Sequence, residues 1–156
     1  MTGGLFHHPT IGFSLQVPRS WELVEDAPGV ALMAVEPARP GLFRPNVVVT
    51  VEPVEPGTEL AEWATAGDDA LGRVLHRHIL LDDEEVELHG VRARRTLSSY
   101  TSPDDQPVTM EQWALVAGAC GYTLTASAWT LEYDVLAEVF EEIVGHFQPD
   151  PSFVPT

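Results

Sequence analysis

Three arginines, Arg92, Arg94 and Arg95, lie almost side by side in a chain whose formal net charge is -16. They are the residues best placed for chemistry on an anion, because a guanidinium presents several donors in a fixed fork that fits carboxylate or phosphate. Read as a strand, Val91–Tyr100 puts Arg92 and Arg94 on one face with Thr96, Ser98 and Tyr100, and Arg95 on the other with Val91 and Leu97. Cross-strand pairing with acids such as Glu87 and Glu111 is the favoured use of this cluster. Anion or ligand binding by Arg92 and Arg94 is the alternative.

The acidic run Asp82-Asp83-Glu84-Glu85 has enough carboxylates for calcium, but it lacks the alternating oxygen spacing and central glycine of an EF-hand loop. A solvated acidic turn is the expected reading, and a docking patch for a basic partner is the alternative. In Leu42-Phe43-Arg44 an aromatic stands beside an arginine inside a proline-rich loop, a combination common among interface anchors. The competing expectation is that Phe43 tucks into the core.

The histidines do not make a metal site by spacing. His7 and His8 are adjacent, and His76 and His78 are two apart, where one helix face requires three or four. Cys120 has neither a base nor a cationic neighbour in sequence to activate it. There is no G-x-S-x-G elbow, H-E-x-x-H pair, P-loop or dinucleotide fingerprint. The expectation is therefore no catalytic residue, no metal and no cofactor.

The elements that would hold these residues read as strands, then a helix, then strands and a closing helix. Phe13–Val17 alternates, turns at Pro18, and continues through Trp21 to Glu25 as an edge hairpin. Val30–Val35 and the β-branched run Asn46–Glu52 are buried strands. Thr58 is placed to cap a helix whose Leu60, Trp63, Ala64, Gly67, Leu71, Val74 and Leu75 form one apolar stripe, so that helix should lie on the sheet. His89-Gly90 is a turn before Val91–Tyr100, and two further strands, 108–117 and 122–129, flank Gly118–Gly121. Leu136, Val139, Phe140, Ile143, Val144 and Phe147 mark the stripe of a last helix over 131–146. The four tryptophans, Trp21, Trp63, Trp113 and Trp129, are expected in the core.

Composition bounds the rest. A chain of 156 residues, 44% hydrophobic and 21% charged, is the size of one ordinary globular domain. The predicted fold is α+β: a single antiparallel sheet of about six or seven strands with two main helices packed on it, over residues 1–156. The core spans about 6–147, and 148–156 is a proline-rich tail. All eight bases are arginine, against 24 acids. That balance argues against nucleic acid, which demands clustered cations, and against anionic membrane surfaces. No apolar run reaches the ~20 residues of a membrane span. Met1–His8 has no basic cluster before an apolar core, and the single cysteine cannot form an internal disulfide, so a cytoplasmic location is expected.

With Phe13-x-Leu15-x-Val17-Pro18-x-x-Trp21 at the front and Leu136–Phe147 closing the chain, the sequence resembles the PsbP-like superfamily. That group includes the extrinsic photosystem II subunit, a Ran-binding import factor, DcrB-type proteins, LpqN-type lipoproteins and chaperones of type VI secretion effectors. The resemblance implies an antiparallel sheet with packed helices, no shared active site, and a role as an interaction module. The functional expectation is a non-catalytic protein-binding module, acting as adaptor, chaperone or regulator, with an acidic surface and a basic protein partner. A small-ligand or lipid-binding protein with an apolar space between sheet and helix is the alternative, and a homodimer is open under both.

Overall fold

The computed structural model describes residues 3–8, 12–25, 27–38, 41 and 43–153. Its elements are β1 (Gly3–His7), β2 (Phe13–Pro18), β3 (Glu22–Val24), β4 (Leu32–Val35), β5 (Asn46–Pro53), α1 (Leu60–Val74), β6 (His76–Leu88), β7 (Val91–Thr101), β8 (Pro107–Ala117), β9 (Cys120–Trp129), a 3-10 turn at Thr130–Glu132, α2 (Tyr133–Gly145) and β10 (Gln148–Pro149). Every strand pair is antiparallel. The fold is α+β, with a seven-stranded sheet ordered β3-β4-β5-β9-β8-β7-β6 and a smaller one ordered β1-β2-β10.

Alternation assigns the two faces of the large sheet. Val49, Leu124 and Trp113 stand in register across β5, β9 and β8, and each is buried. They face α2, whose Leu136, Phe140, Ile143 and Val144 are buried. The small sheet closes this side: Phe13 packs against Tyr122 and Phe147, and the Tyr122 hydroxyl donates to Gly12 O at 2.9 Å. Their register neighbours Thr50, Thr123, Gln112 and Thr96 point the other way, towards α1. The protein is thus α1, large sheet, then α2 with the small sheet, and the main apolar core lies entirely on the α2 side.

Four sequence expectations change. The N-terminal hairpin does not form as read: β2 pairs with β1 and β10, whereas β3 pairs with β4. Trp21 N donates to Pro18 O at 3.0 Å, and the Trp21 indole is buried edge-on to Phe140, so the chain crosses from one sheet to the other at this turn. The acidic run is not a turn but the middle of β6, a 13-residue strand. What extends the ladder is the β6–β7 turn, in which His89 and Gly90 have φ of 47° and 79°, the twist that a tight hairpin connection requires. Thr58 does not cap α1; its hydroxyl donates to Glu55 O, and Glu59 holds the cap position. Of the tryptophans, Trp21 and Trp113 are in the core, while Trp63 and Trp129 are half-buried.

A polar cleft beneath the first helix

The α1 stripe predicted to bury itself succeeds only in part. Ala64 is the one buried residue of the helix, and Val74 is 76% exposed. Beneath it the sheet presents short or polar side chains, Thr50, Gln112, Ala114 and Thr123, which cannot fill the space up to the helix. The result is a cleft of about 690 Å³ that opens to solvent. Trp63 roofs one end: its indole lies so close to Gly121 that a Cβ there would come within 2.4 Å of the ring, and its Nε1 donates to Glu52 Oε1. Leu71 forms the apolar roof further along. On the floor, Gln112 Nε2 donates to Thr125 Oγ1 at 2.9 Å.

Arg94 forms the closed wall of the cleft. Its Nε and Nη2 donate to the two carboxylate oxygens of Asp83 at 2.7 and 2.6 Å, and its Nη1 pairs with Asp68 of α1 at 2.5 Å. The hydrogen bonds that Arg94 donates to Asp83 push the guanidinium pKa up, and the same bonds hold the Asp83 carboxyl below the usual carboxylate value. Arg94 therefore ties α1 to the β6–β7 hairpin, and its charge is matched twice over. With Glu52 and Asp68 against the single Arg94, the lining is net negative. An anionic ligand would have to displace two carboxylates; a neutral or cationic group would not.

The other sequence candidates fall around this frame. Arg92 pairs with the exposed Glu85, an arrangement of little energetic weight in water. Arg95 lies on the α2 face, where it donates to Glu111 at 2.5 Å and Glu84 at 3.1 Å and stands 3.4 Å from Asp82. Glu111 is buried and also accepts from the Tyr133 hydroxyl at 2.7 Å; burial first, and then this bond, pushes the tyrosine pKa up. The acids 82–85 and the arginines thus come together and neutralise one another on two faces of one hairpin. The expected pairing holds for Arg95 with Glu111, whereas Arg92 chooses Glu85 over Glu87. Leu42 lies outside the described residues. Phe43 is half-buried, and Arg44 is held by Glu36 O at 3.0 Å and Glu22 at 3.3 Å, on the opposite side of the sheet from β6.

Cys120 begins β9 instead of lying in the turn; it is fully buried, and burial pushes its thiol pKa up. His89 Nε2 lies 2.6 Å from Gly145 O, and His146 Nδ1 lies 2.8 Å from Glu142 O, so both are engaged with backbone carbonyls. Among the described residues there is no cluster of three metal-ligating side chains. Nor is any described helix long and apolar enough to cross a membrane. Sequence reading missed Glu52, Trp63, Asp68 and Gln112 as site residues. The available signal was the polar alternation Thr123, Thr125 and Ser127 on β9, joined by Thr50 on β5 and Gln112 on β8, which marks a sheet face left partly polar.

No protein-family model matches the chain, and no curated protein does. Solved structures do. The chain is similar to LpqN of Mycobacterium tuberculosis, involved in cell envelope biogenesis, with 20% identity, 94% of this chain and 90% of that one covered, and a TM-score of 0.73. It is similar to cyanobacterial PsbP of Synechocystis sp. PCC 6803 at 13% identity, covering 96% and 93%, with a TM-score of 0.69. It is also similar to the Ran-binding protein Mog1p of Saccharomyces cerevisiae at 12% identity, covering 96% of each chain, with a TM-score of 0.66. Three proteins of such different names share one arrangement of helices and sheets with this chain, which has the PsbP-like fold.

Proposed function

We propose that the chain is a non-catalytic protein-binding module whose docking surface is the cleft under α1, and that its partner offers a basic residue beside an apolar one. The observation that carries this reading is the composition of that cleft: a Trp63 and Leu71 roof over a Thr and Gln floor, with carboxylates outnumbering the one guanidinium. A partner's arginine or lysine finds Glu52 and Asp68, and its apolar neighbour finds the indole, the kind of anchor on which binding energy concentrates. Asp68 is paired with Arg94 and Glu52 accepts from the Trp63 indole, so neither carboxylate is arranged beside a base or nucleophile. The Ran-binding neighbour supports protein binding as a use of this fold. A role as adaptor, chaperone or regulator in the cytoplasm is the setting we infer.

The test is affinity capture from the source organism's lysate at low and physiological salt. A basic protein retained at near-stoichiometric level and weakened by salt is expected. Retention unchanged by salt would remove the electrostatic half of the proposal. The cleft volume, within the ~300–1,000 Å³ of small-molecule sites, favours a second reading as a ligand- or lipid-binding protein. Native mass spectrometry separates the two, since a co-purified adduct lost on substituting Trp63 would favour the ligand.

A further inference from the structure

Among the described residues β6 is an edge of the large sheet, paired with β7 alone, and the opposite edge, β3, is three residues long. Long unpaired edges carry rows of unsatisfied backbone groups and invite another strand. Along β6 the side chains follow an order. His76, Arg77 and His78 come first, then Ile79, Leu80 and Leu81, then Asp82, Asp83, Glu84 and Glu85. The apolar three are 57%, 46% and 57% exposed, an unusual density for a surface strand. Two irregularities, between His76 and Ile79 and between Leu80 and Asp82, give β6 more residues here than β7 can pair. Ile79 and Leu80 keep Ser99 and Ser98 as their β7 partners, and Leu81 is the one apolar residue left over on its own sheet.

We infer that this edge pairs with the β6 of a second copy of the chain, antiparallel about a two-fold axis through Ile79–Leu81. An isologous contact must match a surface with itself reversed. Reversal lays apolar on apolar at the centre and brings the Arg77 end of each copy against the acidic end of the other. A parallel or shifted pairing would oppose like charges. Arg77 has φ of 55° and makes no ion pair among the described residues, so its charge is free to be used across the axis. The acids opposite it would ordinarily guard an edge by repulsion. Here Asp82 and Glu84 are paired with Arg95, Asp83 with Arg94 and Glu85 with Arg92, which lowers that repulsion. This inference rests on the edge and is independent of the cleft.

Sedimentation equilibrium and concentration-dependent hydrogen exchange test it on the full chain. A dimer that dissociates on dilution is expected, with β6 backbone amides more protected as concentration rises. Leu80→Lys and Arg77→Glu should each weaken it at least tenfold. Asp83→Arg, at the position this axis sets opposite Arg77, should weaken it likewise, yet an equimolar mixture of Arg77→Glu and Asp83→Arg chains should restore a heterodimer, because each supplies what the other lacks. A wild-type chain that stays monomeric up to about 100 µM would overturn the inference. So would a dimer indifferent to Leu80→Lys, or a charge-swapped mixture that fails to associate while circular dichroism shows both variants folded.

Discussion

The two faces of the seven-stranded sheet are built from the same strands and do different things. Towards α2, the strands offer Val49, Leu124, Trp113 and Leu115, all of which are buried. Towards α1, one residue along, they offer Thr50, Thr123, Gln112 and Ala114, and the helix above them buries only Ala64. One face is closed by side-chain volume and holds the fold together. The other is left open by its absence and is available to a partner. The pairing of charges follows the same division: Arg95 satisfies the buried Glu111 on the closed face, whereas Arg94 lines the open one between Asp68 and Asp83.

The division can be broken most visibly on the closed face. Phe140 is fully buried and meets Trp21 edge-on, so Phe140→Ala should cost about 3–5 kcal/mol in urea unfolding. Leu71→Ala, from the cleft roof, should cost clearly less. If the two losses are equal, α1 packs as tightly as α2 and the contrast fails. Next in size is Arg95→Ala, which leaves the Glu111 carboxylate buried without its cation; roughly 2–4 kcal/mol is expected, reduced in the double variant with Glu111→Gln. Arg94→Ala should lose less, because Asp83 on the rim returns to water.

The smallest effect concerns acid. Asp83 has a folded-state pKa below its ordinary 3.8, through the hydrogen bond from Arg94. The unfolded chain then takes up the proton first, so the stabilisation is present above that value and is lost as pH falls through the lower folded one. The stability gap between wild type and Asp83→Asn should therefore narrow below about pH 4. A gap constant down to about pH 3 would show that the Arg94–Asp83 pair does not form in solution.

Most of the architecture could be read from periodicity, because burial on one face imposes it. The stripe of α2 and the alternation of β5, β7, β8 and β9 are of this kind. Asp82–Glu85 misled for a physical reason. A run of carboxylates has no intrinsic strand character, and it became one because three β7 arginines pair with all four acids, Arg95 serving both Asp82 and Glu84. The N-terminal hairpin misled because Pro18 and Trp21 mark a turn without saying which sheet each arm joins. The cleft was hidden for a third reason: it arises from what Thr50, Gln112 and Gly121 fail to fill, which appears only when α1 is laid over them.

The most direct test of this division of labour is a paired capture experiment with wild type, Trp63→Ala and Phe140→Leu at physiological salt. The account predicts that Trp63→Ala loses the partner while keeping a near-native unfolding midpoint, and that Phe140→Leu lowers the midpoint yet retains the partner. A partner held equally well by Trp63→Ala would place the docking surface away from the cleft and contradict the account.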